Sequence, residues 1–158
     1  MEKPLEKRFT TDEEWKRIAE KKRIKIRKYS LADYPSVREI LQASKLFYEP
    51  NDSESNLRRV IGDDPDSILV AVENRRVVGT AFTESGFIPF IFRVAVHPEY
   101  RNRGIGEKLM QSAEEVLKNK GHSEANILVA IDESENQLRY ERQGYEKGHT
   151  YVWMEKKL

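Results

Sequence analysis

The chain has 158 residues, 28 of them Lys or Arg and 27 Asp or Glu, for a formal net charge of +1. That length carries one domain with a real core, and the balanced charge excludes the strongly basic profile of a nucleic-acid-binding protein. Cys is absent, which excludes disulfides and a thiolate nucleophile, and no apolar run approaches the length of a membrane span.

Residues 1–10 are polar and expected to be loose. Thr11-Asp12-Glu13-Glu14 reads as a capping box, with Thr11 as N-cap and Glu14 three residues later. It predicts a helix to about Lys22 with Trp15, Ile18 and Ala19 on one face. Ile24 and Ile26 alternate with Lys25 and Arg27, the pattern of a half-buried strand. Val37, Ile40, Leu41, Ser44, Phe47 and Tyr48 follow helical spacing, with Asp33 as its expected cap. Tyr48 to Asn51 breaks that helix, and Asp52 or Ser53 caps a short one carrying Leu57, Val60 and Ile61. Ile68 to Val72 is an apolar strand, Asn74-Arg75 a hairpin turn, and Val77 to Thr83 the return strand.

Pro89 to Val96 is apolar on nearly both faces, as in a strand covered on both sides; alternation puts Phe90, Phe92 and Val94 on one side. Ile105, Leu109, Ala113, Val116 and Leu117 form one helical stripe, stopped by Gly121. Ile127 to Ile131 reads as a strand and Glu135 to Gln143 as a short helix. Tyr145 and Tyr151 to Met154 read as two last strands joined around Lys147-Gly148. No internal repeat and no linker is visible. The expected organisation is an extension over 1–21 and one mixed α/β domain over 22–158 with helices on both faces of its sheet.

The most informative stretch is Val94 to Met110. An apolar strand enters a short basic turn with two glycines one residue apart, and the turn opens directly into a helix. The first amides of a helix lack intrahelical partners and sit at the positive end of its dipole. Glycine allows close approach and the bent backbone that aims successive N–H groups at one point. Arg101 and Arg103 add full charges. The order strand, glycine turn, helix predicts a phosphate site.

These residues carry a family resemblance. Arg101-x-x-Gly104-x-Gly106 after Val94-Ala95-Val96 resembles the signature of the GNAT superfamily of N-acetyltransferases. That signature is Gln or Arg, two residues, Gly, one residue, then Gly or Ala. Tyr140-Glu141-Arg142-Gln143-Gly144-Tyr145 is similar to its second landmark, at a family-like separation. From about Lys22 to Leu158 the order of elements is also similar. The resemblance implies a GNAT-like α/β fold, with a mixed, mostly antiparallel central sheet of about seven strands and helices on both faces. It implies an acyltransferase that takes acetyl-CoA as co-substrate and acetylates a primary amine directly, with no covalent enzyme intermediate.

The resemblance also distributes roles. The amides from Asn102 through Arg103, Gly104 and Ile105 to Gly106 cradle the pyrophosphate beside Arg101. Val94, Ala95 and Val96 present backbone to the pantetheine arm, with the Val94 N–H polarising the thioester carbonyl and Val96 bonding the arm. Tyr140 matches the general acid that protonates the leaving thiolate. Two positions depart from the pattern. Many members carry a Glu two or four residues before the Val94 position, where this chain has Phe92 and Phe90; Glu84, His149 or a water chain is left as the base. The family often has Asn seven residues before the Tyr, where this chain has Glu133; Asn136 is nearby but out of register.

His97-Pro98 reads as a structural strand exit. His97, His122 and His149 are too scattered to suggest a metal site. The high charge content, 35%, with a mean hydropathy of −0.75, suits ion-pair networks at high temperature or simply a very soluble protein. No secretory signal is visible, so a cytoplasmic protein is expected. It would act as a monomer or homodimer on a small-molecule amine or on a protein or peptide amine, without nucleic acid or membrane. A non-catalytic acyl-CoA sensor is the alternative. A nucleotide enzyme using the same turn lacks the Lys-Ser or Lys-Thr pair of a P-loop.

Overall fold

The computed structural model describes residues 11–158, apart from the side chains of residues 17–22. The expected loose stretch 1–10 and the packing of Ile18 and Ala19 lie outside the described residues. The chain forms two compact units, one ending at Ile127 and one spanning Leu128–Leu158.

The first unit holds helix α1 (Asp12–Arg23), strand β1 (Lys25–Lys28), helices α2 (Tyr34–Ala43), α3 (Glu49–Asp52) and α4 (Glu54–Asp63), strands β2 (Ile68–Glu73), β3 (Arg76–Glu84) and β4 (Phe90–Val96), and helix α5 (Ile105–Asn119). The strands form one antiparallel sheet in the order β1-β2-β3-β4. Local sequence signals explain most boundaries. The Thr11 hydroxyl accepts from the Glu14 N–H, and Glu14 accepts from the Thr11 N–H at 2.8 Å, which is the reciprocal cap the sequence announced. Ser53 caps α4 through the Asn56 N–H. Asn74 and Arg75 both take positive φ, 47° and 67°, as the two-residue turn between β2 and β3 requires.

Two boundaries differ from expectation. Helix α2 stops at Ala43 instead of running to Tyr48. Lys45 takes φ 56°, the Leu46 N–H bonds the Leu41 carbonyl and the Lys45 N–H bonds that of Gln42. This is a Schellman closure with lysine in the place glycine usually takes. Leu46 and Phe47 still pack on the core that α2 covers, which is why they kept helical spacing. Asp33 does not cap α2 with its side chain. Its carboxylate accepts two Arg27 bonds, at 2.7 and 2.9 Å, and the Ser30 N–H at 2.8 Å. Burial pushes this carboxyl up, but the Arg27 pair and the Ser30 bonds outweigh it and hold it below the usual carboxylate range.

The sheet is covered on both faces. On one, Val37, Ile40 and Leu41 of α2 and Leu57 of α4 pack with Tyr29, Ile68, Val70, Phe82 and Ala95. On the other, α5 buries Ile105, Leu109, Met110, Ala113 and Leu117. Helix α5 lies so close to β3 that a Cβ at Gly79 would sit 2.9 Å from Leu109 Cδ1 and 3.1 Å from the Ala95 carbonyl oxygen. Helix α5 ends at Gly121, φ 93°, with the His122 N–H on the Leu117 carbonyl and the Gly121 N–H on that of Lys118.

Tyr29 is buried, and its hydroxyl has no hydrogen-bond partner among the described residues. Burial, with a smaller contribution from Asp33, pushes it up to about 12. The folded state therefore holds this proton more tightly than the unfolded chain. The resulting stability is complete below pH ~10 and is lost as pH rises through about 12. Tyr29→Phe should leave neutral-pH stability unchanged or slightly higher and flatten the alkaline decline. Denaturant midpoints at pH 8 and above 10 test this; equal alkaline losses in both proteins would refute it.

Strand β4 carries a bulge. Phe92 faces Phe82 and Ala95 faces Thr80, so Arg93 and Val94 together oppose Ala81. Arg93 takes φ 52° there. The extra residue switches the strand's parity. Phe92 lies against Phe82, with ring centroids 5.8 Å apart, on the α2–α4 side. Past the bulge Ala95 joins that same core, and Val96 touches the α5 side at Gly106. Phe90 and Phe92 therefore do not share a side with Val94, because the bulge falls between them.

The second unit holds helix α6 (Ser134–Glu141). It closes as α2 and α5 do: Gly144 has φ 95°, the Tyr145 N–H bonds the Tyr140 carbonyl, and the Gly144 N–H bonds that of Glu141. The Tyr140 and Tyr145 rings meet edge to face at 5.9 Å, the apolar contact that accompanies this closure. The spacing Tyr140-x-x-x-Gly144-Tyr145 is thus a helix terminus read as a motif. Residues 128–131 and 145–154 run as irregular backbone.

Candidate active site

The glycine turn is a chain of alternating backbone hands. Asn102 has φ 62° and Gly104 φ 75°, while Arg103 between them is not among the positive-φ residues. Alternation of this kind is the backbone pattern from which anion nests are built. Asn is among the residues that tolerate this conformation. Gly104 is also the N-cap of α5, and no side chain caps it, so the helix presents its first amides without a protein acceptor from that position. A Cβ at Gly106 would meet only Val96 Cγ2, at 3.8 Å. The packing of the fold therefore does not require glycine there.

Both arginines of the turn are tied to the scaffold. Arg101 donates from Nε to the Val96 carbonyl at 3.1 Å and reaches the Ser44 hydroxyl at 3.4 Å. Arg103 bonds Glu73 at 3.5 Å and lies over the Tyr100 ring, 4.9 Å from its centroid. They fix the turn's shape as well as adding charge. His97 is buried; its Nδ1 accepts from the Glu99 N–H, its Nε2 lies 3.1 Å from an Arg76 nitrogen, and its ring meets Tyr100. These contacts hold it at the exit of β4.

Strand β4 supplies a second element. At its start Ile91 donates to the Asn126 carbonyl and Asn126 to that of Pro89, a short parallel bridge. Further on, His97 donates to Val78 of β3 and Ala95 faces Thr80. Alternation then turns the Val94 and Val96 N–H groups to the opposite edge. Ala95 directs its backbone to β3 and its side chain into the core.

Position 93 was not singled out in the sequence. Arg93 Nε bonds both carboxylate oxygens of Asp52, at 3.1 and 3.2 Å, and Asp52 also accepts the Tyr48 N–H at 2.8 Å. Asp52 is 2% exposed. The pair bridges 41 positions of chain, so no local spacing announces it. Of the base candidates, Glu84 caps its own turn by accepting the Gly86 N–H at 2.9 Å, and His149 is exposed beside Tyr151.

In the second unit, Asn136 donates to the Glu133 carboxylate at 3.0 Å. Burial pushes the Tyr140 hydroxyl up; Arg139 draws it down and Glu133 adds to the rise, leaving it above the usual value. Its phenol keeps its proton throughout the neutral range. Among the described residues no group of three or more His, Asp or Glu side chains is placed to hold a metal ion, and no helix is long and apolar enough to cross a membrane.

A family model for the acetyltransferase (GNAT) family matches residues 34–145, from the start of α2 through the Tyr140–Tyr145 closure. The chain belongs to that family and is an acetyltransferase. An acetyltransferase of Sodalis glossinidius is 29% identical over 136 residues, which is 85% of this chain and 96% of the relative. The PaiA N-acetyltransferase of Thermoplasma acidophilum, solved with coenzyme A, superposes with a TM-score of 0.69 at 22% identity over 81% of this chain and 92% of its own. Ard1 of Thermoplasma volcanium gives 0.71 at 22% identity over 80% and 85%. The α/β fold with an antiparallel sheet is the GNAT fold, and at family level the reaction is acyl transfer from coenzyme A to an amine.

Proposed function

We propose that the chain transfers an acetyl group from acetyl-CoA to a primary amine, and the observation that carries this is the uncapped nest from Asn102 to Gly106. The residues fit the co-substrate: a backbone concavity at a helix N-terminus suits a pyrophosphate, and a Cβ-free Gly106 leaves room against it. Asn102, Arg103, Gly104, Ile105 and Gly106 hold the diphosphate through main-chain N–H groups, with Arg101 bracing the turn. The outward edge of Val94 and Val96, on either side of Ala95, takes the pantetheine arm as a strand takes its neighbour. The thioester supplies the activated acetyl group.

Val94 donates its N–H to the carbonyl oxygen, where negative charge develops during attack. Tyr140 donates its proton to the departing sulfur. With Phe90 and Phe92 in place of carboxylates, β4 supplies no base at those positions, so the amine binds already neutral or loses its proton to water. Asn136, held by Glu133, orients that carboxylate near the tyrosine. A primary amine is the acceptor class, and the likeness to a coenzyme A complex supports acetyl-CoA as the donor.

The test is release of free coenzyme A across an amine panel. Activity should rise with pH as the amine deprotonates and fall only above pH ~10, where the phenol ionises. In Tyr140→Phe, kcat should fall by about 10² or more and the alkaline fall should disappear, with coenzyme A affinity kept. Undiminished kcat in that variant would remove Tyr140 from the reaction.

A further inference from the structure

We infer that Arg93 forms an anion subsite for the acceptor, so that the amine substrate carries a carboxylate group. This rests on the reading of the chain as an amine acetyltransferase and adds the substrate's second functional group. Arg93 sits at the β4 bulge in a left-handed conformation, φ 52°, which is strained for a non-glycine residue. Strain of this kind is held where the surroundings fix it, often at a working position. Here Asp52 fixes it: both carboxylate oxygens take the single Nε–H, at 3.1 and 3.2 Å.

That pairing uses one edge of the guanidinium. Nη1 and Nη2 make no hydrogen bond among the described residues, and the side chain keeps 22% exposure. The half-buried fork of a guanidinium gains by meeting a planar acceptor with two oxygens. Its neighbours are Val94, whose N–H is proposed to face the reacting carbonyl, and Phe92, 42% exposed. Tyr48, 48% exposed, is tied to the same Asp52. A cation beside the residue proposed to face the reacting carbonyl, and next in the chain to an accessible ring, suits an amine with a carboxylate at its far end. The Arg93–Asp52 pair has no net charge, so a doubly charged phosphate would be repelled by Asp52 more than a carboxylate.

The probes are a ladder of straight-chain ω-amino acids, each beside its carboxamide and the matching ω-aminoalkyl phosphate. The wild type should give the highest kcat/KM with a carboxylate, through KM. In Arg93→Gln the carboxylate-to-carboxamide ratio should drop about ten- to hundred-fold, with acetyl-CoA affinity unchanged. Because removing Arg93 strands the buried Asp52, Asp52→Asn/Arg93→Gln is measured in parallel and should show the same drop. Calorimetric binding of the N-acetylated acids and amides to the coenzyme A complex gives a readout that needs no turnover. Equal binding and equal kcat/KM for acid and amide would overturn the subsite while leaving the acetyltransferase intact. A phosphate preference would overturn the carboxylate assignment. Failure to bind acetyl-CoA at all would instead sink the broader functional reading.

Discussion

Gly106→Asp should make the unliganded protein as stable as the wild type or slightly more so, and should abolish coenzyme A binding. The two effects separate because the fold and the ligand ask different things of this position. A Cβ there finds only Val96 Cγ2 at 3.8 Å, an ordinary contact, so the packing of α5 is undisturbed. The new carboxylate lies in the first turn of α5, where the helix dipole favours it by about 0.3–1 kcal/mol. A diphosphate would meet both a side chain and a like charge. The dissociation constant should rise by roughly a hundredfold or more, about 2.7 kcal/mol. The stabilisation that saturating ligand gives the wild type, of similar size, should vanish. Thermal shift with and without coenzyme A reads both effects, and a preserved ligand shift would refute the cradle.

Asp52→Ala should produce the largest loss of stability of any polar substitution considered. Asp52 is 2% exposed and holds three groups: the Arg93 Nε–H by both oxygens and the Tyr48 N–H. Removing it leaves a half-buried guanidinium and a backbone donor without partners, and frees the left-handed bulge. Breaking a buried pair this way costs about 3–5 kcal/mol. At 2–4 °C per kcal/mol for a chain of this size, Tm should fall by about ten degrees. Asp52→Asn, which keeps acceptor oxygen for Tyr48, should lose less. A cycle with Arg93→Gln should show strong non-additivity. Loss below about 1 kcal/mol would mean the pair is a solvated contact and the bulge is held by β3 alone.

These residues also show what a sequence makes legible. The Thr11–Glu14 cap, the Asn74-Arg75 turn and the α5 stripe are signals written within a few positions, and each appears where it was read, while of the two expected caps, Asp52 and Ser53, it is Ser53 that caps α4. The bent backbone of the glycine turn was legible for the same reason, since its conformation is set by adjacent residues. The end of α2 was hidden because Lys45 takes a conformation that its side chain does not advertise. The bulge was hidden because Arg93 and Asp52 lie far apart along the chain. An unbroken alternation through Phe90, Phe92 and Val94 concealed the change of side between them.

The tight seat of α5 on Gly79 gives this enzyme a remote lever. Leu109 and Ile105 meet the sheet across a gap with no space for a methyl group, and the nest is the continuation of that same helix. Gly79→Ala would tilt or lift the rod from beneath, displacing its tip without adding one atom to the cradle. Such a variant should present as a co-substrate affinity defect in a residue that never meets the co-substrate. Drift at position 79 would thus be policed by binding, and a compensating change should arise at Leu109, by shortening, rather than in the glycine turn.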